Sequence, residues 1–224
     1  MMDFSDIKRR LSDLDTACLC DAEKTLQTNL RVMDPAIGPI TPGLQLLGRA
    51  HTVSCHDDFL TVIKGLKEAA AGEVLIIDSR GSRKALTGGL FPTESQRKGL
   101  AGIVIDGFCR DTQAIRQIAI PYYARGVHCI AGSTDRIFAT QVPVTCGGVL
   151  VNPGDIVFGD DDGILVAADE QFAQLIPLAE QIKASEKRLI EKMAEGFSLL
   201  DMLNFEEHCS ALEAGKPSKL RFLV

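Results

Sequence analysis

Two short apolar runs, Glu73-Val-Leu-Ile-Ile-Asp78 and Gly102-Ile-Val-Ile-Asp106, constrain the fold of this chain more than any other feature. Neither alternates polar and apolar residues, and both are rich in β-branched side chains. That pattern belongs to a strand buried on both faces. Residues 57–71, 93–99 and 112–118, around and between these runs, have a helical texture. Helix–strand alternation across 57–125, ending in Ile120-Pro-Tyr-Tyr-Ala124, predicts an α/β core that is partly parallel.

The flanks read differently. Residues 5–30 are helical, with Ile7, Leu11, Leu14 and Cys18 at helical spacing; 34–43 is turn-rich, and 48–54 is a strand. From residue 140 to 168, short β-type runs are separated by Asn152-Pro-Gly-Asp155 and Gly159-Asp-Asp-Asp-Gly163, which predicts antiparallel strands. A long helix of mixed charge follows over about 170–195, with Gly196 as its stop. There is no repeat, low-complexity tract or linker, so the expectation is one domain over 1–224, its core spanning about 13–168.

Composition excludes several function classes. A net charge of −6 with dispersed Lys and Arg argues against nucleic-acid binding, which needs a concentrated basic surface. The start carries Asp3, Asp6, Lys8, Arg9 and Arg10 and no apolar leader, and no run approaches the ~18 apolar residues of a membrane span. Seven cysteines without a framework fit reduced thiols, hence a cytoplasmic protein. No CxxC or HExxH spacing suggests zinc, and neither a Gly-Lys-Ser/Thr triplet nor a dinucleotide fingerprint occurs. Asp160 to Asp162 lack the alternating ligands of a calcium loop and read as an acidic turn. Cys109 beside Arg110 could be a nucleophile, but a buried thiol is the commoner use of such a cysteine.

The chemistry concentrates in 88–111. The block opens with Gly88-Gly89-Leu90-Phe91 and closes with Asp106-Gly-Phe-Cys-Arg110-Asp111. Glycines let backbone N–H groups close on a ligand. Arg110 offers a planar cation for a carboxylate, and Asp111 a hard oxygen for a divalent metal. The pair follows an apolar strand, and open α/β sheets collect ligands beyond the carboxyl ends of their strands. An Arg110–Asp111 ion pair, or Asp111 capping the next helix, are the structural alternatives.

These residues resemble the RraA-like family, which includes 4-hydroxy-4-methyl-2-oxoglutarate aldolases and regulators of ribonuclease E. The resemblance rests on the glycine turn and Arg110-Asp111, with twenty residues between Gly89 and Arg110, and on 99–111, Gly48-Arg-Ala-His-Thr52, Val151-Asn-Pro-Gly-Asp155 and 160–166. It covers about residues 13–200. It implies an α/β/β sandwich assembled as a homotrimer or hexamer with sites at subunit contacts. It also implies that Gly88, Gly89, Leu90 and Phe91 present backbone groups to a pyruvate-like ligand, that Arg110 pairs with its carboxylate, and that Asp111 holds Mg2+ or Mn2+. Gly89 departs from the family's aldolases, which commonly carry an acidic residue there.

The implied reaction is a retro-aldol cleavage to pyruvate, with oxaloacetate decarboxylation available to the same site. Charge on the departing enolate needs a lysine Schiff base or a Lewis-acid metal. Lys84 is the only lysine near the loop and has no evident activator, so a metal is expected. Glu186 or Glu191 of a neighbouring subunit could add an acid. A non-catalytic protein docking on a ribonuclease is the competing class.

Overall fold

The computed structural model describes residues 2–223. The chain begins with helices α1 (Phe4–Leu11) and α2 (Thr16–Leu26), then strands β1 (Arg31–Val32), β2 (Gly38–Pro39) and β3 (Leu46–Ser54). Next come α3 (Leu60–Glu68), β4 (Glu73–Asp78), β5 (Ala85–Thr87), α4 (Leu90–Lys98), β6 (Gly102–Cys109), α5 (Thr112–Ile115) and β7 (Tyr122–Val127). Short strands β8 (Ala139–Thr140), β9 (Val144–Cys146) and β10 (Val149–Val151) precede β11 (Ile156–Asp160), β12 (Gly163–Ala167), α6 (Asp169–Ala194) and α7 (Phe205–Glu213).

The main sheet is mixed, in the order β1-β12-β11-β3-β4-β6-β7-β2, with β5 beside β6 and β8 beside β3. As the alternation predicts, β3, β4, β6 and β7 are parallel neighbours. Parallel neighbours need crossovers, which α3, α4 and α5 supply. The flanking strands β11, β12 and β2 pair antiparallel.

Both faces of β4 are buried, which explains its unbroken apolar run. Leu75 and Ile77 pack with Ile103 and Ile105 of β6 and with Val62 and Leu66 of α3. Val74 and Ile76 face the opposite way, sharing a cluster with Val157 of β11 and Val166 of β12. The sheet therefore curls over that second cluster. On the outer side of β11, Ile156 and Phe158 meet α1, α2 and α6 through Ile7, Leu19 and Phe172. Each such side chain contributes about 1.5–3 kcal/mol when fully buried.

Several boundaries differ from the sequence reading. Residues 5–30 form two helices, because the Asp15 carboxylate accepts from Cys18 N at 2.8 Å and starts α2 afresh. Both are held to α6: Arg10 engages Glu180 with two donors, and Lys183 lies 2.9 Å from Asp15. The acidic run is a hairpin turn as expected. Asp160 accepts from Thr16 N and Oγ1, and Asp161 from Gly43 N, so these carboxylates serve backbone and hydroxyl donors. Helix α6 ends within a residue of its predicted stop, and Gly196 follows at φ +100°. The helix α7 beyond it was not foreseen. No helix among the described residues is long and apolar enough to cross a membrane.

Candidate active site

The glycine turn and the Arg-Asp pair meet at the carboxyl end of β6. This strand continues past its predicted end at Asp106 to Cys109, through an irregularity between Ile105 and Phe108. Gly107 permits the extension, because a Cβ there would lie 2.6 Å from Ser79 Oγ. Helix α4 also starts three residues earlier than predicted. Leu90 and Phe91 therefore belong to its first turn, where Pro92 is tolerated, and the Phe91 N–H donates to Gly88 O at 3.1 Å.

Asp111 sits in the left-handed region (φ 59°, ψ 36°), which Asp enters more readily than most residues. Although it precedes α5, its side chain makes no cap bond to that helix. Oδ2 instead accepts from Gly89 N at 3.2 Å and lies 3.7 Å from Arg110 Nε. Of the two structural alternatives, the helix cap is thus absent and the Arg110–Asp111 ion pair is present, beside a link to the glycine turn. Both side chains remain about half exposed, at 45% for Arg110 and 51% for Asp111. At Gly88 a Cβ would lie 2.5 Å from Asp111 Oδ2, so a side chain here needs that carboxylate to move. At Gly89 a Cβ would approach Ala114 Cβ at 3.1 Å, so a side chain here needs Ala114 to yield.

Gly88, Leu90, Phe91, Arg110 and Asp111 line a pocket of ≈ 110 Å3. Sequence reasoning missed its other walls, Phe59, Ala85, Leu86, Thr87 and Ala131. Phe59 meets Phe91 edge-on, with centroids 6.2 Å apart at 85°. The Thr87 hydroxyl is spent on the Tyr122 hydroxyl beneath the pocket. Cys109 is fully buried, and burial pushes its thiol up to about 11, so it is not an activated nucleophile. Lys84 Nζ lies 3.5 Å from Asp57 Oδ2 and is not among the lining residues. Glu186 and Glu191 are exposed on α6.

A buried carboxylate fixes the wall that bears Ala131. Asp58 is 1% exposed and accepts from Leu60 N (2.8 Å), Ser133 Oγ (2.9 Å), Asp135 N (2.6 Å) and Arg136 N (3.0 Å). Burial pushes its carboxyl up, yet the donors outweigh that and hold it below the usual range. Asp58→Asn is expected to cost about 1–3 kcal/mol and to speed amide exchange over 133–138. Because the folded-state value is depressed, the wild-type advantage is complete above the unfolded value of about 3.9 and is lost as pH falls through the folded one. Denaturation of both proteins between about pH 6 and 3 checks this; a gap that stays constant refutes it.

The chain and its fold match a known family. The RraA-like family model (Aldolase/RraA) matches residues 16–166, and the chain belongs to this family. A protein of Halalkalibacterium halodurans, provisionally named a 4-hydroxy-4-methyl-2-oxoglutarate aldolase, is 33% identical over 81% of this chain and 86% of its own length. Among solved structures, an uncharacterized Pseudomonas syringae protein superposes with a TM-score of 0.77 at 25% identity, covering 90% of this chain and 98% of its own. The RNA-processing inhibitor RraA from Thermus is 30% identical with a TM-score of 0.61, covering 66% of this chain and 91% of its own.

Proposed function

We propose that the protein is a divalent-metal-dependent carbon–carbon lyase that releases pyruvate from a 4-hydroxy-2-oxo acid, 4-hydroxy-4-methyl-2-oxoglutarate being the first to try. Oxaloacetate decarboxylation is a second activity of the same site. The observation that carries the reading is the meeting of Arg110, Asp111 and the first turn of α4 at the mouth of one small pocket. The aldolase names of relatives support it.

The donor set suits magnesium or manganese. With Oδ2 turned to Gly89 N, Asp111 keeps Oδ1 without a hydrogen-bond partner among the described residues. Mg2+ often takes only one or two carboxylates and completes its shell with water and substrate oxygens, whereas zinc sites use three or four protein ligands. When bound, the ion supplies Lewis acidity for charge developing on the 2-oxo oxygen. In this reading Arg110 holds the substrate carboxylate bidentately, and the Leu90 N–H in the first turn of α4 donates to it. Phe59 and Phe91 exclude water from the tail side. In the reaction, a proton leaves the C4 hydroxyl, the C3–C4 pair moves to C2–C3, and C3 is reprotonated to give pyruvate.

The protein is further proposed to act as a homo-oligomer, a trimer or hexamer, in the cytoplasm. Leu90, 83% exposed at the pocket mouth, is available to a neighbouring copy. The experiment is pyruvate release from 4-hydroxy-4-methyl-2-oxoglutarate, its C5-methyl analogue 4-hydroxy-4-methyl-2-oxopentanoate, and oxaloacetate, with Mg2+, Mn2+ or EDTA. Turnover with either metal and its loss in EDTA is the expected result. Silence on all three turns the reading to a ribonuclease regulator, which similarity to the Thermus inhibitor favours.

A further inference from the structure

We infer that Tyr122 is a positioning residue of this site: its buried hydroxyl, bonded to Thr87, fixes the glycine turn against the Arg110–Asp111 pair. The kinetic consequence rests on the lyase reading, to which it adds a residue outside the pocket wall.

Two segments make the site, Thr87-Gly88-Gly89 and Cys109-Arg110-Asp111. They are neighbours because β5 pairs with β6, Thr87 opposite Cys109, and Arg110 N donates to Thr87 O at 3.1 Å. The ladder shifts register between Ala85 and Thr87, and β5 has only three residues, so strand pairing alone holds the turn weakly. Beyond Thr87 come two glycines, which have no side chain to pack and the widest backbone freedom of any residue. The first side chain that can anchor the turn from its amino side is therefore Thr87.

Thr87 is held from below. Its hydroxyl shares a hydrogen bond with Tyr122 OH, and both residues are at most 2% exposed. Tyr122 is itself fixed: its N–H donates to Thr41 Oγ1 at 2.9 Å, and its carbonyl accepts from Ile40 N at 2.7 Å. Cys109, one residue before Arg110, packs in the same buried cluster as Tyr122. One side chain thus braces both segments. The bond is closed within a single copy, so it does not depend on what a neighbouring copy adds at the mouth. Without the hydroxyl, Thr87 loses its buried partner and the turn drifts against Asp111, which it meets through Gly89 N at 3.2 Å. Displacing reacting groups by about 1 Å is enough to slow a reaction about a hundredfold. Arg110 still holds the ground state, so the loss falls on kcat rather than KM.

The test compares Tyr122→Phe, Thr87→Val and the double variant with the wild type. Each removes the same bond, so the double is expected to lose no more than either single. The expected result is a fall in kcat for metal-dependent pyruvate release of about tenfold or more, with KM within about threefold. Hydrogen exchange needs no turnover: amides over 87–91 are expected to exchange about tenfold faster in each variant, and those of α6 at the wild-type rate. Tyr123→Phe is the control. Its hydroxyl is also buried but donates to Asp160 O at 3.1 Å, within the cluster on the other face of the sheet. This variant is expected to leave kcat and exchange over 87–91 unchanged. Should Tyr122→Phe fail to fold, Thr87→Val decides. Unchanged exchange over 87–91, losses that add in the double variant, or an equal effect of Tyr123→Phe overturns the inference. Wild-type kcat in Tyr122→Phe also overturns it and leaves the lyase standing. A wild type that releases no pyruvate sinks the lyase, and exchange alone then decides whether Tyr122 braces the turn.

Discussion

Asp111→Asn is expected to lower metal-dependent pyruvate release by about 10^3-fold or more while the protein melts within about 4 °C of the wild type. Asparagine tolerates the left-handed conformation at φ 59° nearly as well as aspartate, so the backbone is not asked to move. Its amide oxygen can still accept from Gly89 N, the one hydrogen bond the carboxylate makes among the described residues. What disappears is the negative charge that a hard cation requires. Kinetics in saturating Mg2+, beside a thermal melt, separates the outcomes. Near-normal turnover in the variant would remove Asp111 from the mechanism, and a collapse of the melt would make the residue structural.

Gly88→Ala comes second in size, at about a hundredfold loss of kcat/KM. Its Cβ would sit 2.5 Å from Asp111 Oδ2 and 3.2 Å from Arg110 Cγ, so both side chains must shift. Misplacing reacting groups by about 1 Å is enough for an effect of that size, while one overpacked methyl costs only about 1–3 kcal/mol of stability. Gly163→Ala is the matched control, since nothing lies within 4 Å of a Cβ there. Assays and melts of both variants check the pair. The proposal fails if Gly88→Ala is as active as Gly163→Ala.

The sequence made the centre of the fold legible and left its margins obscure. Strands β4 and β6 were readable because burial on both faces demands unbroken apolar runs. The true end of β6 was hidden because Asp106-Gly107 looks like a turn, whereas Gly107 is there for its close approach to Ser79. The start of α4 was hidden because Gly89 gives it no side-chain cap and Pro92 reads as a breaker. Arg110 and Asp111 stood out by position, but the left-handed backbone at Asp111 leaves no trace in a sequence. Phe59 and Ala131 come from loops far along the chain and reach the site only through the sheet topology. Asp58 was not singled out, although its place just before α3 is a helix-start signal, and it is in fact buried.

The packing of α1 and α2 against α6 has a consequence for biosynthesis. The helices made first are covered by the helix made near the end, through Ile7, Leu11 and Leu19 against Phe172, Leu175 and Ile176. At about 5–20 residues per second, translation separates the two by roughly ten to thirty seconds. Throughout that interval a nascent chain carries an uncovered apolar layer, while the strands and loops that build the pocket are being made. The half that bears the candidate site is thus made before the molecule can close, and the apolar layer of α1 and α2 stays uncovered until α6 arrives.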